Sequence, residues 1–319
     1  MPANDENLFG RAQRTFGHLR VDEAVANVRA IVGLPKVPDS EKAAQEALDK
    51  LRTGRARPTA TELAALEFVI RMMRPAPLSR NGKLDSLPAK QGSSVYQPEV
   101  SAAWQKFRDT SAQILYSVGR LDRTAGSSPH IGTGFLVAPD LVLTNHHVVS
   151  ALSHGADEID AGMAVIRFYQ EFEGPEPVPT CPVIKVAAIH PSLDMALLQI
   201  QVPDTRPVLR FETAALPAHL MVGTIGYPYK DDRNPLFVAA IYQDTYGVKR
   251  GAVGELIAAR GNMIFHDCST LGGNSGSPVM ALESGAVVGL HFTGDFMYRN
   301  GAVAATAVAE FVAETTRTP

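Results

Sequence analysis

Three distant segments of this 319-residue chain hold the side chains needed to turn an alcohol into a nucleophile. The first, Leu143-Thr-Asn-His-His-Val-Val149, carries two adjacent histidines. The second, His190-Pro-Ser-Leu-Asp194-Met-Ala-Leu-Leu198, carries an aspartate just before an apolar run. The third, Leu271-Gly-Gly-Asn-Ser275-Gly-Ser-Pro278, sets a serine among glycines. His147, Asp194 and Ser275 follow one another at separations of 47 and 81 residues. A serine hydroxyl is a weak nucleophile at neutral pH and needs a base within hydrogen-bond reach, for which imidazole titrates in the right range. The imidazole in turn needs a carboxylate on its other nitrogen to fix the tautomer and stabilise the imidazolium. An oxyanion formed on attack needs donors already in place. Glycines beside the serine leave the backbone free to turn two N–H groups toward one point, and those of Gly273 and Ser275 are the candidates.

These segments resemble the chymotrypsin-fold serine proteases, and most closely the bacterial glutamyl endopeptidases and related trypsin-like peptidases. The likeness rests on Thr144-Asn-His-His-Val-Val149, on Asp194-Met-Ala-Leu-Leu198, on Gly226-Tyr-Pro228 and on Gly272-Gly-Asn-Ser-Gly-Ser-Pro278, and covers about residues 111–315. It implies a double six-stranded antiparallel β-barrel with the active site between the barrels, a mainly β fold. It also implies hydrolysis of peptide bonds through an acyl-enzyme on Ser275, with His147 moving the proton and Asp194 orienting it. No cofactor and no metal are expected, and the substrate is a protein or peptide. Of the two histidines, the resemblance selects His147, which directly precedes Val-Val; neighbours on a strand point to opposite faces, so only one can enter the cleft. Asn274 stands where the digestive enzymes of this fold carry an aspartate that pairs with a new N-terminal amine. An uncharged side chain there needs no buried cation, so activation by chain insertion is not expected. His266-Asp267-Cys268 lacks a second pair of ligands at zinc spacing. Asp157 and Asp160 read as solvated loop residues.

The pocket for the side chain before the scissile bond should involve Ser269 and Thr270, six and five residues ahead of the nucleophile, and His291. None is acidic, which argues against a basic preference. A hydroxyl and an imidazole can both donate to a carboxylate, so cleavage after Glu or Asp is the favoured expectation. The rival is a barrel histidine beside a pocket for small or apolar groups. At the level of function, the alternative from another class is a protease-fold binding or scaffold protein, latent or with little turnover. The complete set of three side chains argues against it.

Such residues need a rigid frame. From Ser111 onward, short runs rich in Val, Ile, Phe and Tyr are separated by turn residues, as expected for an all-β barrel or sandwich. They include Leu141–Val149, Met195–Val202, Asn234–Gln243, Asn262–Asp267 and Gly285–Phe292. Residues 21–74 read instead as helices: Val21–Ile31 closed by Gly33, a second capped by Ser40 and stopped by Gly54, and a third opened by Thr59 and Glu62 and ended by Pro75. The Pro- and Gly-rich stretch from Pro75 reads as a linker or extended connector, with a short helix near Val100–Asp109, and a terminal helix is expected at Val303–Thr315. The organisation is therefore a small all-α N-terminal domain at 1–75, a linker and short helix at 76–110, and the peptidase domain at 111–319. The N-terminal unit could recruit a regulatory protein partner, inhibit as a propeptide cut within the connector, or simply pack as an extension.

Hydrophobic residues at 45% allow a sizeable core. A net charge of −3 offers no footprint for nucleic acid. Two cysteines cannot form a disulfide framework, no stretch is apolar enough to span a membrane, and the N-terminus has no secretion signal. A cytoplasmic protein follows as the expectation.

Overall fold

The structure, a computed structural model, describes residues 5–90, 93–94, 96–126, 130–232, 236–295 and 299–317. Part of the expected connector, at 91, 92 and 95, lies outside them, as do the first two residues of the run from Asn234.

Four helices come first: α1 (Asp5–Phe16), α2 (Val21–Val32), α3 (Pro38–Thr53) and α4 (Ala60–Met72). Local sequence accounts for their ends. Gly33 and Gly54 close α2 and α3 in the left-handed conformation, at φ 68° and 63°. The Thr59 side chain accepts from the Glu62 amide, and the Glu62 carboxylate accepts from the Thr59 amide, so the expected capping box forms. α3 starts at Pro38, before the expected Ser40, because proline at the first helical position presets φ and lacks only a donor that would go unused. α1 was not legible in the sequence. Its buried face, Leu8, Ala12 and Phe16, is interrupted by Gly10 and by Arg11, which is itself fully buried.

The connector carries two short hairpins, β1–β2 (Ser79–Arg80, Lys83–Leu84) and β3–β4 (Ala89–Lys90, Ser93–Ser94), and then α5 (Pro98–Ser111). Its first part runs along a barrel. The Ser79 amide donates to the Lys249 carbonyl at 2.9 Å, and the Gly251 amide donates to the Pro77 carbonyl at 3.1 Å. Trp104 of α5 is buried and donates from Nε1 to the Asp85 carbonyl at 3.0 Å.

Two closed antiparallel barrels follow. The first comprises β5 (Val118–Arg123), β6 (His130–Ala138), β7 (Leu141–Thr144), β8 (Ala164–Arg167), β9 (Cys181–Ile189) and β10 (Ala196–Ile200), closed in the order β10-β7-β6-β5-β8-β9, with α6 (His146–Leu152) inserted after β7. The second comprises β11 (Met221–Gly226), β12 (Arg250–Arg260), β13 (Met263–His266), β14 (Pro278–Ala281), β15 (Val287–Asp295) and β16 (Arg299–Ala304), in the order β11-β12-β13-β16-β15-β14. Helix α7 (Leu236–Tyr242) lies between β11 and β12, and α8 (Ala305–Arg317) ends the chain. α7 corrects the strand expected there: a short continuous apolar run fits a buried helix turn as well as a buried strand, and periodicity cannot separate them.

The second barrel and the helices share one core. Leu8, Phe16, Leu66, Val69 and Ile70 from the helices belong to the same buried cluster as Val222, Val253 and Leu256 of the barrel. A buried ionic junction crosses the same boundary. Arg11 bridges Glu67 of α4 and Asp267 of the barrel, at 2.7 and 2.8 Å. Arg74 reaches Asp267 and Glu255 at 2.9 and 3.2 Å, and Arg14 reaches Glu255 at 2.6 Å. Three guanidiniums thus meet three carboxylates, and the Glu255 amide adds a 2.6 Å hydrogen bond to Asp267. The far side of the first barrel has its own core around Leu136, Val183 and Leu198.

Candidate active site

His147 and Asp194 meet at the edge of the first barrel. His147 Nδ1 lies 2.6 Å from Asp194 Oδ2, and the His147 backbone N–H donates to Asp194 Oδ1 at 3.0 Å. The Asn145 side-chain amide donates to the Asp194 carbonyl at 2.8 Å, which holds the turn before β10. Burial alone would raise the Asp194 carboxyl, but the two hydrogen bonds from His147 outweigh it and hold the group below its usual value. Asp194 is therefore ionised at neutral pH, ready to orient an imidazole that is about half exposed. The adjacent His146 turns elsewhere: its Nε2 lies 2.8 Å from Asp157 Oδ2. Both histidines open α6, and neither is on a strand as the sequence suggested. The outcome survives for a different reason, since neighbours on a helix diverge by about 100°. Asp157, expected to be merely solvated, is the partner of His146.

Ser275 sits in the loop before β14, and the loop is fixed from both barrels. The Thr133 amide donates to the Ser275 carbonyl at 2.8 Å, and Thr133 Oγ1 donates to the Gly273 carbonyl at 2.7 Å. The same hydroxyl accepts from the Tyr227 amide at 3.2 Å. The Tyr229 amide donates to the Gly272 carbonyl at 2.8 Å. In a planar trans peptide the next N–H, that of Gly273, then points the opposite way. The amides of Asn274 and Gly276 donate to the Leu271 and His291 carbonyls at 3.1 and 2.8 Å. Among the described residues the amides of Gly273 and Ser275 donate to nothing. Glycine is required here: at Gly276, with φ 88°, a Cβ would lie 1.9 Å from the Thr133 carbonyl oxygen, and at Gly273, also at φ 88°, 2.3 Å from that of Tyr227. Among the described residues Ser275 Oγ makes no hydrogen bond to His147; in unliganded sites this bond is often long and tightens only with substrate.

Ser275 opens onto a cavity of about 430 Å³ whose lining includes Ser269, Thr270 and His291, the expected pocket residues. Ser269 Oγ donates to the Arg74 carbonyl at 2.8 Å. His291 is buried, with Nδ1 3.3 Å from His266 Nε2. Burial drives both imidazoles toward the neutral form, His266 down to about 3 and His291 well below its ordinary value. The remaining side chains of the 266–268 segment are committed: Asp267 to Arg11 and Arg74, and Cys268 Sγ to the Val222 carbonyl at 3.8 Å. Asn274 is buried and donates within its own loop, to the Leu271 carbonyl at 3.2 Å.

Two residues near the loop and cavity escaped the sequence reading. Thr133 lies in Gly132-Thr-Gly-Phe-Leu-Val, which leads toward the His147 segment and is read with it, but nothing in the sequence gives Thr133 itself a role. Arg71 of α4 lines the cavity. Its signal was present: Glu67, Arg71 and Arg74 repeat at helical spacing as a polar stripe beside the apolar face.

Residues 132–290 match the model of the trypsin-like peptidase domain family. The glutamyl endopeptidase of Staphylococcus aureus (strain MRSA252) is 23% identical over 234 residues, which is 71% of this chain and 60% of the relative. That of strain MW2 is 24% identical over 234 residues, 71% of this chain and 65% of the relative. The chain thus spans about 60–65% of the length of the curated relatives it matches. Among solved structures, the inactive form of a mutant Rv3671c from M. tuberculosis H37Rv aligns with a TM-score of 0.46 at 21% identity, covering 66% of this chain and 92% of that one. The serine endoprotease from Yersinia pestis aligns with a TM-score of 0.48 at 18% identity, covering 66% of this chain and 67% of that one. The segment 132–290 is a trypsin-like peptidase domain set in a chymotrypsin-like double barrel.

Proposed function

We propose that this chain is a serine endopeptidase in which Ser275 attacks the scissile carbonyl, His147 takes and returns the proton, and Asp194 holds His147 in the working tautomer. The Gly273 and Ser275 amides receive the oxyanion. The acyl group passes to Ser275 with departure of the amine, which receives its proton from His147; water, deprotonated by His147, then releases the acid. The observation that carries the reading is the pair of uncommitted amides at Gly273 and Ser275. The bonds from Tyr229 and Thr133 hold their loop in a receptive conformation, which a latent or purely binding protein does not need.

The preference is for Glu or Asp before the scissile bond. Thr270 and His291 line the cavity beside Ser275 together with Ser269, whose hydroxyl is committed to the Arg74 carbonyl, and a threonine hydroxyl and an imidazole N–H suit a carboxylate. We take residues 1–75 as the helical unit, 76–110 as its connector and 111–319 as the peptidase unit. The shared core and ionic junction support a permanently docked extension over a removable propeptide or a freely presented recruiting module. Among the described residues no helix is long and apolar enough to cross a membrane. Two free, buried cysteines are compatible with the cytoplasmic location that belongs to this proposal.

The test is turnover of matched fluorogenic peptides bearing Glu, Leu or Arg before the scissile bond, by the wild type and by Ser275→Ala. We expect Glu to lead and Ser275→Ala to lose on the order of 10⁶-fold in kcat. Leading turnover of the Arg peptide would overturn the pocket assignment, and equal turnover by Ser275→Ala would overturn the mechanism.

A further inference from the structure

The cavity beside Ser275 is not built by the peptidase barrels alone. Helix α4 supplies part of its wall, through Phe68, Arg71 and Met72. Arg71 is the only cation among the lining side chains in the described residues. It has one hydrogen bond there, from Nη2 to Asn300 Oδ1 at 3.3 Å, and Nη1 is buried without a partner. Asn300 is fixed in turn, donating to the Cys268 carbonyl at 2.6 Å.

The surrounding charges explain why this guanidinium stands out. Arg11, Arg14 and Arg74 are bound to Glu67, Glu255 and Asp267, each with a carboxylate within 3.2 Å. That junction balances three against three and leaves none of its carboxylates bonded to Arg71. Glu67 and Asp267 attract this guanidinium but are hydrogen-bonded to other arginines, and burial outweighs that attraction and pulls the Arg71 pKa below its ordinary value. Asp231 is the one acidic side chain on the cavity wall among the described residues. His291 contributes no charge, because burial and the neighbouring His266 and Arg71 keep it neutral. In the tautomer in which His266 Nε2–H donates to His291 Nδ1, His291 Nε2–H is left to donate, but a carboxylate held by that bond alone would be an uncompensated anion.

We propose that Arg71, reaching from the N-terminal helical unit into the peptidase cavity, is the cation that pairs with the side-chain carboxylate of the residue before the scissile bond. This rests on the endopeptidase reading above and deepens it. The guanidinium fork matches a carboxylate in two parallel hydrogen bonds, with His291 adding a neutral donor. The helical extension is thereby a specificity element: without α4 the cavity keeps its nucleophile and oxyanion amides but loses its positive charge.

The experiment compares kcat/KM of the full chain on peptides differing only in Glu or Gln before the scissile bond, for the wild type, Arg71→Met and Arg71→Lys. Glu and Gln are alike in shape, so their ratio reads the charge. We expect the Glu:Gln ratio to fall roughly 10–100-fold in Arg71→Met, with Gln turnover changed less than about threefold, and Lys to restore part of it. Unchanged fluorophosphonate labelling of Arg71→Met at Ser275 shows that the variant is folded and its nucleophile intact. A wild-type preference for Glu that persists in Arg71→Met overturns the role of Arg71 alone. A wild type without preference for Glu overturns both this role and the acidic specificity. If no peptide is turned over, the endopeptidase reading fails and titration with product-type peptides ending in Glu or Gln decides: tighter binding of the Glu peptide, lost in Arg71→Met, supports the proposal, and equal binding overturns it.

Discussion

Replacing Asp267 by Asn should loosen the joint between the helical unit and the second barrel more than any single surface change. Asp267 Oδ2 takes hydrogen bonds from Arg11 at 2.8 and 3.2 Å and from Arg74 at 2.9 and 3.3 Å, and Oδ1 takes the Glu255 amide at 2.6 Å. All three side chains are buried. Each charge pair is worth about 4 kcal/mol gross at an effective dielectric constant of 20, so two give about 8 kcal/mol. Against this stands a desolvation cost of several kcal/mol per ion. Removing the carboxylate leaves three guanidiniums facing two carboxylates, and the expected net loss is about 3–5 kcal/mol, the usual cost of orphaning a buried charge. For a chain of this size that lowers Tm by about 4–8 °C. The pH dependence has a definite sign. Burial would raise the Asp267 carboxyl, but Arg74 and Arg11 outweigh it and hold it well below the carboxylate range. A depressed carboxyl stabilises the fold above its unfolded value, about 3.9, and the contribution is lost as pH falls further toward the folded value. Urea unfolding at pH 7 and at pH 3 should therefore show a wide gap between wild type and variant at pH 7 and a narrower one at pH 3. A loss below about 1 kcal/mol at pH 7, or helices that already melt separately in the wild type, would refute a docked, load-sharing extension.

Further outcomes follow from the same contacts. Thr133→Val removes the hydroxyl that joins the Gly273 carbonyl to the Tyr227 amide, so kcat should fall roughly 10–100-fold with KM little changed; a change confined to KM would contradict its role in holding the loop. Asp194→Asn should cost about 10⁴ in kcat, because the amide favours the wrong His147 tautomer, while thermal melting shows the fold retained. Lys249 is fully buried, donates to the Leu115 and Phe168 carbonyls at 2.5 and 2.7 Å, and is pushed down to about 7 by burial. The unfolded lysine holds its proton to about pH 10, so stability should rise between about pH 7 and 10 and this rise should vanish in Lys249→Met; urea midpoints across that range check it.

How much of this could be read from the sequence depended on whether the signal was local. The loop around Ser275, the segments around His147 and Asp194, and the caps at Gly33, Gly54 and Thr59 are local patterns; the caps form where the spacing put them, and His147 meets Asp194. The helical setting of His147 was missed because the strand signal of Leu141–Thr144 runs straight into Val148 and Val149. The α7 run was mistaken for a strand because an all-apolar stretch has no period to read. Helix α1 was missed because its packing depends on Arg11, a charged residue buried only because Glu67 and Asp267, distant in sequence, neutralise it. Thr133 was silent for the same reason, and the polar stripe that holds Arg71 was legible but assigned it no role: the significance of both lies in what they face across the fold, Asn300 and the cavity for Arg71 and the Gly273 carbonyl for Thr133.

The most direct test of the central claim is to treat the intact chain with a fluorophosphonate and locate the adduct by peptide mass mapping, with Ser275→Ala and His147→Ala in parallel. The account predicts a single stoichiometric adduct on Ser275, greatly slowed in His147→Ala and absent in Ser275→Ala. A wild type that remains unlabelled, or an adduct on another serine that persists in Ser275→Ala, would contradict it.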